Sequence, residues 1–335
     1  MPTRTLSAVW RTHSRKTIHQ ITSRSGRMTA RVLTLGATLQ SLHVQPRAHS
    51  LVLGFTDVNA YFEQGFYCGA TIGRVANRIA GGRFDLNGQV IQTERNDAGR
   101  HTLHGGSQGL HKVLWTVDNH NPELVTLGYF EPHGTAGFPG NVDLRCTYAL
   151  FDRTLRVTLN ATTDRPTPIN LTHHPYFCLD GSGTIDKHVL QIDATRITDA
   201  TDDNIANGLL TDVADTDFDF RTARPIASEA VEPRHYDTNF CVADERRPLA
   251  TVAELRSPES GVSMRLRSTE PGVHFYSGQY ISSTQRGHLG KPYGPRAGVA
   301  LEAQVWPNAV NHAHFPSIIV QPGETLEQII EYQFS

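Results

Sequence analysis

Apolar and polar residues alternate with a period of two along much of the chain, whereas the 3.6-residue period of an amphipathic helix is hard to find. The clearest alternation runs over residues 144–150 and resumes over residues 155–161, with Asp152-Arg153 between the two runs. Successive side chains of a strand point to opposite faces, so this pattern predicts a hairpin with one buried face. We expect strands to dominate the fold.

Two further turn signals also predict hairpins. Asn87-Gly88 lies between two short segments that each contain apolar residues, and this dipeptide suits the positive φ angles of a tight turn. Pro322-Gly323 lies between Ile318–Val320 and the alternating apolar positions of residues 326–334. The second signal predicts a hairpin at the C-terminus.

The composition indicates one large β domain. The 335 residues include 28 Gly and 18 Pro, which favours turns over long helices, and 38% of them are hydrophobic. A chain of this length buries a large core, and β-sandwiches of this size occur as single domains. No shift in composition marks a boundary, so we expect one domain over residues 1–335, with residues 1–16 as a loosely ordered extension.

The net charge of −2 provides no global basic field, so we expect no nucleic-acid partner. Eight Lys and Arg residues precede the first acidic residue, Asp57, and an organelle leader is basic in the same way. The strand pattern nevertheless begins near Ile18, and no run of about 18 apolar residues predicts a membrane span. We expect a cytoplasmic protein, monomeric or homodimeric.

Histidine is the most conspicuous candidate for chemistry, with 17 in the chain, including His101-Thr-Leu-His104 and the pair His173-His174. An imidazole is a natural proton donor or acceptor at neutral pH, although any one of these residues could be an ordinary turn or core histidine. Both spacings would place the two rings on opposite faces of a strand, which suits a metal poorly. The four cysteines are far apart and are expected to be buried, so we expect no metal site.

A single carboxylate, Glu302, interrupts the apolar run over residues 299–305. If this side chain points inward, burial raises its pKa toward the range of a useful base; the alternative is a solvent-facing glutamate on an edge strand. Arg74 and Arg78, four residues apart, could form a site for hydroxyl groups or be a surface pair.

In their order and spacing, seven short segments resemble the aldose 1-epimerase family, and most closely its galactose mutarotases. The resemblance extends from about Thr17 to Ser335. Each segment alone is a modest signal, whereas together they are specific. They are Leu35–Leu39, Gly73–Arg78, Leu103–Gly106, Asn170–Tyr176, Tyr236–Phe240, Gly272–Tyr276 and Leu301–Gln304.

The resemblance implies an all-β fold, a single large twisted β-sandwich with few short helices and an open sugar-binding cleft over a sheet. It implies that Glu302 is the catalytic base and His174 the general acid. His274 departs from the family, since galactose mutarotases often have Gln there. The positions implied to bind substrate are His104, Asn77, Arg78, Asp237, Tyr176 and His274.

The implied reaction interconverts the α and β anomers of free aldohexoses such as galactose and glucose by opening the sugar ring, and it requires no cofactor. This needs Glu302 ionised and His174 protonated, and we expect the two side chains to flank a single ring from opposite sides. Trp306 or Phe275 could stack on the sugar or simply pack in the core. The alternatives are a non-catalytic sugar-binding module and a hexose-6-phosphate 1-epimerase that uses Arg74, Arg78 and Arg296.

Overall fold

The computed structural model describes residues 6–11, 17–63, 66–227 and 234–335. Short strands joined by turns are the predominant secondary structure of these residues, as the two-residue alternation predicts. The strands, in chain order, are β1 (Leu6–Arg11), β2 (Thr17–Ser25), β3 (Met28–Leu33), β4 (Thr38–Val44), β5 (Thr71–Ile72), β6 (Arg78–Ile79), β7 (Arg83–Leu86), β8 (Gln89–Gln92), β9 (Thr102–Leu103), β10 (Thr116–His120), β11 (Leu124–Glu131), β12 (Val142–Phe151), β13 (Thr154–Thr163), β14 (Thr167–Pro168), β15 (Thr172–His173), β16 (Tyr176–Phe177), β17 (Val189–Ile192), β18 (Arg196–Ala200), β19 (Ala206–Asp212), β20 (Arg224–Pro225), β21 (Asp237–Cys241), β22 (Ala250–Arg256), β23 (Ser263–Ser268), β24 (Gly272–Tyr276), β25 (Val299–Gln304), β26 (Ile319–Val320) and β27 (Leu326–Phe334).

Helices are few and short. The described ranges contain one α-helix, α1 (Asn59–Glu63), and four 3₁₀-helices, Ala80–Gly82, Leu110–Lys112, Thr135–Gly137 and Ala309–Asn311. None of the helices within those ranges has the length and apolar character needed to cross a membrane. Of the predicted N-terminal extension, Leu6–Arg11 pairs with β2, and residues 1–5 and 12–16 lie outside the described residues.

Three sheets enclose the main core. A nine-stranded sheet has the order β10-β11-β12-β13-β27-β23-β22-β17-β20, a six-stranded sheet has the order β16-β25-β24-β21-β18-β19, and β1 to β4 form a third sheet. Apolar side chains from all three meet in one continuous cluster. The prediction of an all-β sandwich is confirmed, and the four cysteines are buried and free, as expected.

Two of the three predicted hairpins are confirmed. β12 and β13 pair through ten residues around Asp152-Arg153, and β7 and β8 pair around Asn87-Gly88. The C-terminal hairpin is wrong, because β26 pairs with β14 whereas β27 lies between β13 and β23. Alternation of apolar and polar residues predicts that a segment is a strand. It does not predict the partner of that strand, which depends on the rest of the sheet.

The face of the six-stranded sheet that lies away from the main core carries polar side chains. In β24, Val273 and Phe275 belong to the core cluster, so His274 between them points to the other face. In β25, Leu301 and Ala303 are core residues and Glu302 points away from them. This parity directs the candidate residues toward a common surface.

A buried ion pair contributes to the stability of the sandwich. Arg74 Nε donates to Glu131 Oε2 at 2.7 Å, and the two side chains are 0% and 2% exposed. The guanidinium also donates to the carbonyl of Pro139 and to Thr167 Oγ1. Because removal of one partner leaves the other charge buried and uncompensated, such a pair is sensitive to single substitutions.

We expect Glu131→Gln to lower the free energy of unfolding by about 3–5 kcal/mol, since the Arg74 charge loses its counterion. Urea denaturation followed by circular dichroism measures the change. The matched control is Asp143→Asn, which removes one half of the exposed Asp143–Arg145 pair and should cost at most about 1 kcal/mol. Equal effects of the two substitutions would contradict this role for the buried pair.

Candidate active site

A cavity of about 270 Å³ lies over the polar face of the six-stranded sheet. All eight residues singled out in the sequence line this cavity, although they come from segments spread over more than 220 positions. They are Asn77, Arg78, His104, His174, Tyr176, Asp237, His274 and Glu302.

Strand pairing places three of these side chains side by side. His274 of β24 is directly opposite Glu302 of β25, so the two side chains share the cavity face. In β21, Asn239 is the residue opposite His274. Asp237 lies two residues before Asn239 and therefore on the same face of the strand. The register of antiparallel strands therefore brings together a histidine and two carboxylates.

His174 reaches the same cavity because its segment is attached to β25. The side-chain amide of Asn170 donates to the carbonyl of Val305 and accepts from its N–H, and Thr172 Oγ1 donates to the carbonyl of Ala303. The side chain of the adjacent His173 points the opposite way, and its Nδ1 lies 3.2 Å from the hydroxyl oxygen of Tyr332 in the core. Only the second histidine of the pair faces the cavity.

His174 and Glu302 are neighbours within this cavity. Nε2 of His174 lies 3.4 Å from Oε1 of Glu302, with the side chains 4% and 2% exposed. They therefore lie on the same side of the cavity, and the expectation that they flank a sugar from opposite sides is not what the structure shows. Oε2 of Glu302 and Nδ1 of His174 are buried with no hydrogen-bond partner among the described residues. Such groups need an explanation, and a polar ligand provides one.

Burial shifts both groups of the pair toward their neutral forms. It raises the pKa of Glu302 well above its ordinary value, and the negative charge of Asp237 adds to this effect. It lowers the pKa of His174 to about 3. The structure thus favours a protonated Glu302 beside a neutral His174, the reverse of the charges expected from the sequence. The two arrangements differ only in the position of one proton.

His104 is held in one tautomer. Its Nδ1 accepts a hydrogen bond from the backbone N–H of Asn77 at 3.1 Å, so Nε2 carries the ring hydrogen. Burial lowers the pKa of His104 well below its ordinary value, and the neighbouring His174 and His111 lower it further. His104 is therefore a neutral hydrogen-bond donor in the cavity wall.

Two side-chain pairs add polar groups to the cavity. Nε2 of His274 lies 2.7 Å from Oδ1 of Asp237. Burial acts to raise the pKa of Asp237, but the hydrogen bond and charge of His274, together with the charges of Arg78 and His174, lower that pKa overall. Arg78 Nε donates to Asp97 Oδ2 at 2.7 Å. Asp237 is thus an ionised acceptor, and Arg78 is a cation with a carboxylate partner.

The sequence is similar to members of one protein family over nearly its whole length. The sequence profile of the family described as Aldose 1-epimerase matches residues 19–333. The galactose mutarotase of Sus scrofa is 34% identical over 95% of this chain and 94% of the relative. The chain belongs to the aldose 1-epimerase family. The aldose 1-epimerase of Escherichia coli (strain K12) is also 34% identical, over 92% of both chains.

Solved structures of aldose 1-epimerase homologues have the same fold. The GalM/aldose epimerase homologue from C. elegans superposes with a TM-score of 0.88 at 30% identity, covering 94% of this chain and 98% of that one. Galactose 1-epimerase from Lactobacillus acidophilus NCFM superposes with a TM-score of 0.84 at 24% identity, over 98% of both chains. The similarity to the Lactobacillus acidophilus protein shows a shared fold.

In the described part of this aldose 1-epimerase family member, two groups each place three potential metal ligands within 4.8 Å of one another. They are His104, His174 and Glu302, and Cys178, Asp180 and His188. In each group one histidine has no lone pair left for a metal. His104 already accepts a backbone hydrogen bond, and Nε2 of His188 accepts from the N–H of Leu179, so the second nitrogen of each neutral ring carries hydrogen. The donor sets therefore suit hydrogen bonding better than metal ligation.

Several cavity residues of this epimerase-family chain were not predicted. Tyr276 continues the alternation that contains His274 and could have been found from that parity. Tyr67 could not have been found in this way. Its backbone is not that of a strand, since φ is 57°, and its ring packs against His104 and His111 from distant segments. Neither Phe275 nor Trp306 lines the cavity; both are buried in clusters behind it.

We expect the imidazole of His174 to remain neutral at pH 6, since burial holds its pKa at about 3. The unfolded chain binds a proton at His174 more tightly than the folded chain does. The contribution of His174 to the free energy of unfolding therefore falls as the pH falls from about 6.5 toward 3. Nitrogen-15 NMR of the ring nitrogens measures the charge. Glu302→Gln should leave the ring neutral, and an imidazolium signal for His174 at pH 6 would refute the assignment.

Proposed function

We propose that this protein catalyses mutarotation of free aldohexoses, with galactose and glucose as substrates. The observation that carries the proposal is the 3.4 Å contact between His174 Nε2 and Glu302 Oε1 in the cavity. Anomer exchange requires simultaneous proton transfers at the C1 hydroxyl and at the ring oxygen. Both oxygens are bonded to C1, so the two groups that serve them must themselves be close together.

The reaction uses both members of the pair. The carboxylate of Glu302 accepts the proton of the C1 hydroxyl while the imidazolium of His174 donates a proton to the ring oxygen, and the C1–O5 bond breaks to give an open-chain aldehyde. Rotation about C1–C2 presents the other face of the aldehyde. Ring closure then reverses both transfers, so that no proton is gained or lost overall.

The reactive charges arise from the neutral pair by one internal proton transfer. Glu302 in its acid form and neutral His174 hold the same number of protons as carboxylate and imidazolium, and burial favours the former. A bound sugar supplies hydrogen-bond partners that stabilise the charged forms of the two groups. Substrate binding thus promotes the active protonation state.

The remaining wall residues orient the sugar. The ring N–H of His104 donates to a sugar oxygen, and the carboxylate of Asp237 accepts from a hydroxyl while His274 holds it. Asn77, Arg78 and Tyr176 complete the polar and aromatic wall. Groups fixed by backbone and cross-strand contacts hold a substrate in a reactive geometry at little further entropic cost.

A hexose-6-phosphate 1-epimerase is less well supported. That alternative relied on Arg74, Arg78 and Arg296, of which only Arg78 lines the cavity. Arg74 is committed to Glu131 in the interior, and Arg296 Nε pairs with Asp186 outside the cavity wall. A non-catalytic module would require sugar contacts but gives no reason to bury an imidazole beside a carboxylic acid.

We expect the protein to accelerate the relaxation of fresh α-D-galactose and α-D-glucose to their equilibrium rotation. Each of Glu302→Gln and His174→Asn should reduce kcat by about 10²–10⁴-fold, because each removes one positioned proton transfer. Polarimetry measures the relaxation directly. Glu327→Gln and His120→Asn, at exposed positions of β27 and β10, are the matched controls and should retain activity. Full activity of Glu302→Gln would exclude it as the base.

Prolonged treatment with EDTA should leave the rate of mutarotation unchanged, because proton transfer between the sugar and the pair requires no metal. Polarimetry before and after dialysis against the chelator makes the comparison, with zinc, magnesium or manganese added back in separate samples. Loss of activity that one of these ions restores would favour a metal-dependent mechanism.

A further inference from the structure

The cavity wall offers little positive charge. Among the described residues that line it, Arg78 is the only lysine or arginine, Asp237 is acidic, and Glu302 and His174 together hold no net charge. Arg78 in turn donates to Asp97 at 2.7 Å, with side-chain exposures of 16% and 26%. The positive charge nearest to a bound sugar is therefore already paired with a carboxylate.

Asp97 is held firmly in this position. Its carbonyl accepts hydrogen bonds from the N–H groups of Arg100 and His101, and its own N–H donates to the carbonyl of His101, which closes a five-residue turn. The side-chain amide of the preceding Asn96 bonds to both the N–H and the carbonyl of Leu103. Leu103 pairs directly with Arg78 between β9 and β6, so the contact between Asp97 and Arg78 spans a rigid framework.

We infer that Asp97 is a specificity-determining residue that excludes phosphorylated sugars from the cavity. The inference rests on the proposed function. A sugar phosphate brings about two negative charges. It would meet the carboxylate of Asp237 in the wall, while the charge of Arg78 is already neutralised by Asp97 through Nε, which weakens the attraction of the guanidinium for a second anion. Selectivity against a wrong ligand often depends on such unfavourable charge contacts.

Removal of the Asp97 charge should make the site more tolerant of phosphate. In Asp97→Asn the side chain keeps its shape and an oxygen acceptor for Arg78 but no longer neutralises the guanidinium. The cation is then available to an anion in a partly buried, weakly screened environment. Asp97 acts through Arg78, so its effect should appear as a change in substrate preference and not simply as lost activity.

The test compares kcat/KM for galactose and galactose 6-phosphate, each corrected for its uncatalysed mutarotation, in the wild-type protein and in Asp97→Asn. We expect the wild type to prefer galactose, and the ratio of phosphate to free sugar to rise about tenfold in the variant, mainly through a lower KM for the phosphate. The gain should shrink between 10 mM and 500 mM NaCl, because salt screens a charge interaction. A loosened structure would lower both activities and would not produce this salt-dependent gain.

Asp203→Asn is the matched control. Asp203 pairs with Arg100 at 2.7 Å in the same region, is 40% exposed and does not line the cavity, so the same change in net charge should leave the ratio unaltered. An unchanged ratio in Asp97→Asn, an equal rise in Asp203→Asn, or a wild-type protein that uses both sugars equally well would each overturn the inference. Failure of the wild type to act on galactose would instead overturn the proposed function.

Discussion

The 3.4 Å contact between His174 and Glu302 is the interaction on which the proposed chemistry depends. Both side chains are almost completely buried in the cavity wall, so burial disfavours the charged form of each group and favours the proton on the carboxyl group. Hydrogen bonds that stabilise both charged forms move that proton to His174 in one short transfer. The pair is therefore poised for a reaction in which one group must lose a proton as the other gains one.

The β-sandwich maintains this contact by bonds that cross between layers. Asn170 and Thr172 attach the segment of His174 to the backbone of β25, and the register of β24 and β25 places His274 opposite Glu302. Asp237, His274 and Glu302 are thus fixed by strands packed on a common core, and His174 is held beside them by side-chain bonds from its own segment. Asp97 belongs to the same framework, which allows an ion pair at the cavity wall to influence substrate choice.

Much of this architecture could be predicted from the sequence, because period-two alternation is a local property. It predicted the hairpin of β12 and β13, and the resemblance of seven segments to one family predicted eight residues that share a cavity. The prediction of a C-terminal hairpin failed because the partner of a strand depends on segments that are distant in the sequence. The protonation of the pair and the contact of Asp97 with Arg78 depend on burial and tertiary distance, which no local pattern contains.

The arrangement of a bound sugar is the most direct test of the account. A crystal structure of the Glu302→Gln variant with galactose would show where the anomeric carbon lies. We predict that the C1 hydroxyl is within hydrogen-bond distance of residue 302 and the ring oxygen within hydrogen-bond distance of His174, on the same side of the cavity. A sugar whose C1 and ring oxygen face away from both side chains would contradict the central claim.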